Sequence, residues 1–230
     1  MDMSRETISI IIPALNEEKN LPLTITSVQA AHGIEIIVVD GGSSDCTMEV
    51  ARSLGVKTLC TRPGRAVQMN RGAGVAQGDL FFFLHADTLL PVGYDRCIRR
   101  TLQRNSVVAG AFKLAIRAPG ASLRFIEYGA NIRSKYLGLP YGDQGLFMRR
   151  RDFNRVGGFP EIALMEDFAL VRKMKKFGQV AVAPLAVETS ARRWQQRGVS
   201  LTTLMNQLIV AAYLLGVSPE RLAGWYRGKK

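Results

Sequence analysis

The apolar and polar positions of the first hundred residues form a repeating pattern. "TISIII" (Thr7 to Ile12), "IEIIVV" (Ile34 to Val39), "VKTLC" (Val56 to Cys60) and "LFFFL" (Leu80 to Leu84) are short β-rich runs. Segments with helical spacing separate them: Glu17 to Ala31, "SSDCTMEVARSLG", "GRAVQMNRGAGVAQG" and Val92 to Gln103. In the second of these, Ser44 or Asp45 suits an N-terminal cap and Gly55 a C-terminal stop. Strands alternating with helices of this length predict crossover units and a mostly parallel sheet, an α/β fold. The strands are apolar at consecutive positions, which predicts a sheet covered on both faces.

The second half is less regular. "VVAGAFKLAI", "GLFMRR" and "QVAVAPLAV" are predicted strands, and Ser122 to Tyr136 and "EDFALVRKMKKFG" predicted helices, the latter with Glu166 and Asp167 in its first turn. From about Leu201 the tail is helical. No repeat or low-complexity linker marks a boundary. The expected organisation is one domain over 1–230, with a nucleotide-binding half (about 1–104), an acceptor half (about 105–200) and a helical tail (201–230).

Hydrophobic content of 47% with 22% charged residues is ordinary for a globular chain, but the net charge of +12 is not. It favours a polyanionic partner: nucleic acid, an anionic membrane surface or a phosphate-bearing substrate. Cys46, Cys60 and Cys97 are odd in number and scattered, which fits a reducing compartment rather than a disulfide scaffold or zinc site. The longest apolar stretch, "LIVAAYLLGV", has ten residues, where a membrane-spanning helix needs about 20. A cytoplasmic location is expected, with peripheral contact at the inner face of a membrane as a further reading. Arginines beside the apolar tail helix suit an anionic membrane surface, a packed helix or a homodimer contact.

Ligands of open parallel sheets bind outside the carboxyl ends of the strands. There the sequence places acids: Glu17 and Glu18 after the first strand, Asp40 and Asp45 after the second, Asp87 after the fourth. Carboxylates at one edge of a basic protein suit a divalent metal or hydrogen bonds from sugar hydroxyls and base N–H groups. Each also has a plainer role: Asp45 as a helix cap, Asp40 as turn chemistry, Glu17 and Glu18 against a helix dipole. His85 reads as an orienting or packed histidine or as a metal ligand. No G-x-G-x-x-G or Walker loop follows the first strand, and His32 and His85 leave little room for a Ser-His-Asp triad.

Five segments in order, "ISIIIPALNEEKNL", "EIIVVDGGSSDCT", "GRAVQMNRGAGVAQGDLFFFLHADT", "GGFPEIALMEDFALVRKMKKFG" and "SARRW", resemble the motifs of family 2 glycosyltransferases, which have the GT-A fold, a Rossmann-like α/β/α sandwich. "HADTLLP" and the compact length are similar to a bacterial subgroup associated with arsenosugar biosynthesis. The resemblance implies an inverting, metal-dependent transfer of a sugar from a UDP- or GDP-sugar to an acceptor hydroxyl. It places Pro13, Ala14 and Glu17 in the nucleotide pocket and Asp40 at the base. Arg65 and Asn70 become polar contacts to the nucleotide or diphosphate. Asp87 matches the last acid of the DxD motif that holds Mg²⁺ or Mn²⁺, with His85 in place of the first acid. Asp167 matches the general base, beside Glu166. Arg193 and Trp194 resemble the end of the Q-x-x-R-W motif of processive members, whose Gln is missing. Asp143 and Gln144, in "YGDQG", bind acceptor hydroxyls or hold the turn.

Two competing readings are a sugar-nucleotide nucleotidyltransferase and a non-enzymatic nucleic-acid-binding module. The glycine-rich basic loop of the first is absent, since "PALNEEKN" is acidic. Against the second, the cations are dispersed and not interleaved with aromatics, so no nucleic-acid partner is expected.

Overall fold

A computed structural model of the chain describes residues 6–227. Eight strands form one sheet in the order β3-β2-β1-β4-β7-β6-β8-β5. β1 (Ile8–Ala14), β2 (Ile34–Asp40), β3 (Lys57–Cys60) and β4 (Leu80–Phe83) run parallel. β7 (Leu146–Arg149) is antiparallel to both β4 and β6 (Val107–Arg117), and β8 (Gln179–Ser190) runs parallel to β6. β5 is a two-residue strand, Thr88–Leu89, antiparallel to β8.

Helices cover both faces, as the unbroken apolar runs predict. Ile10, Ile12 and Phe82 point into a core shared with α1 (Leu21–Gln29) and α4 (Tyr94–Leu102). Their neighbours Ile11, Phe81 and Phe83 point the other way, toward α3 (Arg65–Val75), α6 (Arg150–Arg155) and α7 (Glu166–Met174). The period-2 side-chain direction of a strand makes one apolar run serve two cores. α2 (Thr47–Ser53) links β2 to β3, and α5 (Ala121–Leu137) follows β6. The tail divides into α8 (Arg192–Arg197), α9 (Val199–Leu214) and α10 (Pro219–Arg227).

Several boundaries differ from expectation. α1 starts at Leu21 rather than near Glu17 because the intervening residues form a turn, with Asn20 and Leu21 N–H groups donating to the Glu17 carbonyl. β5 and α6 were not expected; a two-residue strand and a six-residue helix leave almost no periodic signal. Arg149 and Arg150, the first two of three consecutive arginines, are tied down. Arg149 donates to the carbonyls of Val107 and Leu102, and Arg150 to that of Gly78. Arg151 alone of the three is well exposed. Among the described residues no helix is long and apolar enough to cross a membrane.

Candidate active site

The carboxyl ends of β1, β2 and β4 share one edge, and Gln68 of α3 helps to hold it. Its side-chain amide donates to the carbonyls of Ala14 and Val39, at 2.8 and 2.7 Å, at the ends of β1 and β2. The sequence reading missed Gln68; its only local sign is a polar residue on the buried face of a small-residue helix.

Glu17 and Asp87 meet on this edge. Arg192 forks onto the Glu17 carboxylate through both terminal nitrogens and stands 3.8 Å from Asp87. The pairing of β5 with β8 makes the contact, because Thr88 opposes Thr189 and the Ser190 N–H donates to the Asp87 carbonyl. Burial and the Glu17 charge raise the Asp87 carboxyl above its usual range, against Arg192, Arg65 and Arg193. Arg192 is thus a site residue that its sequence position, in a basic run beside the tail, did not reveal.

Asp167 lies across the edge at the start of α7. The Gly142 N–H donates to its Oδ2 at 2.6 Å and the Phe168 N–H to its Oδ1 at 2.7 Å, so both carboxylate oxygens are oriented by backbone. Met165, just before α7, is left-handed at φ 72°, a conformation that costs an L-residue about 1–2 kcal/mol. Its side chain packs against Phe168, Ile209 and Leu222. That strained turn aims Glu166 and Asp167 toward the edge.

His85 and Asp167 line the same small pocket beside Gly142. A Cβ on Gly142 would lie 3.0 Å from His85 Nε2 and 3.1 Å from Asp167 Oδ2, so the two side chains close over the same glycine. Arg65, Phe83 and Leu146 complete the pocket around them. Burial and the positive charges of Arg65 and Arg193 push His85 well below 6.5, so the imidazole is neutral. Arg65, with its side chain 43% exposed, reaches to 3.7 Å from Glu166. Partial burial works against its charge, but Glu166, Asp167 and Asp87 hold the guanidinium protonated. Glu166 is buried and raised by desolvation, with Arg65 opposing and Asp167 reinforcing the shift.

Several expected ligand contacts are occupied by structural duties. Asp40 is 4% exposed; its Oδ2 accepts from the Gly42 and Ser43 N–H groups at 2.9 and 3.0 Å, and its Oδ1 accepts from the Ser43 hydroxyl. Both oxygens take part in the turn, so Asp40 shapes the loop. Asn70 exchanges two hydrogen bonds with the Phe159 backbone, at 2.8 and 3.0 Å, pinning α3 to the loop before α7. Gln144 is fully buried: its Oε1 accepts from Ser134 and the Tyr141 N–H, and its Nε2 donates to the Phe112 carbonyl. It holds the turn and offers nothing to an acceptor. Ala14 is core, its carbonyl bound by Gln68 and Gly41. Trp194 packs into the cluster of Leu114, Ile116 and Val199, its indole N–H buried without a partner. Arg193 donates to the Tyr226 hydroxyl, yet its charge is felt by His85, Asp87 and Asp143. Pro13 is half-buried at the end of β1. Asp143 keeps one carboxylate oxygen buried and unpaired. Asp45 accepts from Thr47, just inside α2, and from the Glu18 N–H, so the expected capping duty falls to it in a modified form. Among the described residues no three His, Cys, Asp or Glu side chains gather closely enough to hold a metal by themselves.

The family model for "Glycosyl transferase family 2" matches residues 9–158, which carry β1 to β7, Asp87 and Gly142. The chain belongs to glycosyl transferase family 2. A 4,4'-diaponeurosporenoate glycosyltransferase of Staphylococcus haemolyticus is 37% identical over 94 residues, 37% of this chain and 25% of the relative. The chain thus spans only a minor part of that relative. A mannosyltransferase from Pyrobaculum calidifontis, solved with GDP-Man and Mn²⁺, superposes with a TM-score of 0.69 at 19% identity, over 94% of this chain and 66% of its own. Residues 1–349 of TarS from S. aureus, solved with UDP-GlcNAc, give a TM-score of 0.64 at 16% identity, over 80% and 58%. At these identities the likeness is one of fold, and the fold is the GT-A type expected of family 2.

Proposed function

We propose that this family 2 chain transfers a sugar from a nucleotide-sugar donor to an acceptor hydroxyl, with inversion at the anomeric carbon. The observation that carries the reading is the facing arrangement on one sheet edge: Glu17 and Asp87 on one side, Asp167 on the other, with Arg65, Arg192 and Arg193 between and around them. Relatives solved with GDP-Man and UDP-GlcNAc on the same fold support a donor of that class.

Asp167 is the general base. An acceptor hydroxyl must lose its proton as it attacks, and a positioned carboxylate supplies assistance of about 10²- to 10⁴-fold. The backbone N–H groups of Gly142 and Phe168 hold that carboxylate in one orientation. A single displacement with one base implies inversion. Pro13 and Glu17 line the nucleotide side, with Asp40 and Asn70 holding the loops that frame it, and Arg65, Arg192 and Arg193 offset the charge of the diphosphate. Asp143, with its unpaired oxygen, contacts the acceptor. The "HADTLLP" likeness makes an arsenosugar-type acceptor one member of the panel to try.

A Mg²⁺ or Mn²⁺ ion fits the donor set on this edge. Asp87 is a hard carboxylate, and such ions are commonly held by one or two protein ligands with substrate phosphates and waters completing the shell. Bound there, the ion supplies Lewis-acid neutralisation of the leaving diphosphate.

The test pairs two variants. Asp87→Ala abolishes Mn²⁺-dependent donor binding by calorimetry, whereas Asp167→Asn leaves donor binding intact and removes transfer, read as nucleoside diphosphate released. Wild-type transfer by Asp167→Asn overturns the base assignment. Failure to bind any UDP- or GDP-sugar in a panel overturns the whole reading.

A further inference from the structure

The second half of the fold leaves a large apolar surface uncovered. α9 has sixteen residues and not one charged side chain. Its fully buried side chains are Thr202 and Ile209. On the outer side Leu201, Leu204, Leu208 and Leu215 recur at spacings of three, four and seven, which is one stripe of a helix and its C-terminal cap. Leu204 is 58% and Leu208 53% exposed. α5 touches α9 near the start of both helices. It carries its own outward stripe of Phe125, 77% exposed, Tyr128, Ile132 and Tyr136. Among the described residues nothing covers either stripe. Scattered exposed leucines are ordinary, but apolar stripes on two helices that touch each other mark an interaction surface.

The charge around these stripes identifies the occupant. Residues 117–137 and 194–226 hold six lysines and arginines against two glutamates. One of those glutamates, Glu127, is largely buried and paired with Arg124 at 2.9 Å. Arg117 and Arg124 flank the start of α5, Lys135 lies beside Tyr136, and Arg197 stands just before α9, all exposed. A second copy of the chain docked through the same face would bring two positive rims together, in a protein already at +12. An anionic lipid surface meets both features at once, since apolar side chains enter the acyl boundary while the arginines and lysines meet headgroup phosphates.

We infer that the outer faces of α5 and α9 dock this protein on an anionic membrane surface. α7, which carries Asp167, packs through Phe168 onto Ile209 of α9. The docking helix is therefore in direct contact with the element that holds the proposed base.

Vesicle co-sedimentation tests the inference without donor or acceptor, so its outcome is separate from that of the transferase reading. The wild-type chain sediments with 70:30 phosphatidylcholine:phosphatidylglycerol vesicles at 50 mM NaCl, and with pure phosphatidylcholine at least ten-fold less. The pair Leu204→Glu with Leu208→Glu weakens partitioning at least ten-fold, with Tm and circular dichroism unchanged because both side chains are exposed. Phe125→Glu on α5 is the independent second variant. Absence of wild-type binding to phosphatidylglycerol vesicles overturns the inference, as does undiminished binding by folded glutamate variants. A wild-type dimer by light scattering that the α9 variant converts to monomer, without vesicle binding, assigns the face to a second copy and also overturns it.

Discussion

Gly142 is the residue on which the site's geometry turns. Its N–H holds the Asp167 carboxylate, and it has no Cβ where His85 Nε2 and Asp167 Oδ2 both approach to about 3 Å. Its backbone is not left-handed, so alanine meets no conformational penalty there. The methyl group instead pushes the His85 and Asp167 side chains apart. Gly142→Ala is expected to keep Tm within a few degrees and to lower kcat by about 10-fold, since the neighbours must give by only tenths of an ångström and a 1 Å misplacement costs about 100-fold. Steady-state kinetics beside a melting curve measures both. Asp143 illustrates the opposite balance. Burial raises its carboxyl above 3.8, with Arg133 opposing and Asp167 reinforcing the shift, and one oxygen has no partner. A carboxyl raised by folding adds stability below its unfolded pKa of 3.8 and loses it as pH rises through the folded value. At pH 7 the folded chain therefore carries an unfavourable ionised group. Asp143→Asn is expected to raise Tm at pH 7, by an amount that shrinks toward pH 4, and to raise the KM for acceptor. A melting series in pH checks the first, and a lower Tm for the variant at pH 7 would refute it.

At the scale of elements, side chains that bridge between them do work invisible in a linear pattern. Gln144 was open in the sequence between acceptor contact and turn support, and the structure decides for support. Removing its side chain in Gln144→Ala strands the Tyr141 N–H and the Phe112 carbonyl in a buried site and leaves the Ser134 hydroxyl only its bond to the Ala130 carbonyl. The expected loss is about 2–4 kcal/mol, a Tm lower by roughly 5–15 °C at this chain length, with acceptor KM unchanged for the protein still folded. Thermal melting and kinetics at low temperature separate the two effects. The same contrast explains what was legible. β1, β2, β4 and their helices could be read because long apolar runs and 3.6-residue spacing are local signals. Glu17, Asp87 and Asp167 could be found because carboxylates at strand ends and helix starts stand out against a basic composition and fall in family motifs. Arg192, Gln68 and the hydrogen bonds that Asp40 and Asn70 make within the fold could not. Their roles depend on which strand end, turn or loop arrives opposite, and that is set by the β5–β8 pairing and by the docking of α3, both long-range events. His85 was legible as chemistry but not as geometry. Only the structure shows that it and Asp167 approach the same Gly142.

For the whole molecule, the charge of +12 and the composition of the site separate two electrostatic effects. On the active edge Glu17, Asp87, Glu166 and Asp167 stand among Arg65, Arg192 and Arg193, so the local charge nearly cancels. The excess positive charge lies on the rest of the surface. Surface charge of this kind steers an anion at long range and is screened by salt, with a Debye length falling from about 30 Å at 0.01 M to about 3 Å at 1 M. Contacts made after arrival, inside a partly desolvated pocket, are screened far less. A nucleotide-sugar diphosphate is therefore expected to associate several-fold more slowly at 500 mM than at 50 mM NaCl, while its dissociation rate changes by less than about two-fold. The corresponding uncharged nucleoside feels no such steering and its association rate stays constant. Stopped-flow mixing with Mn²⁺ present resolves the two rates. A salt effect confined to dissociation would mean that the arginines of the edge, rather than the field of the whole protein, govern donor capture.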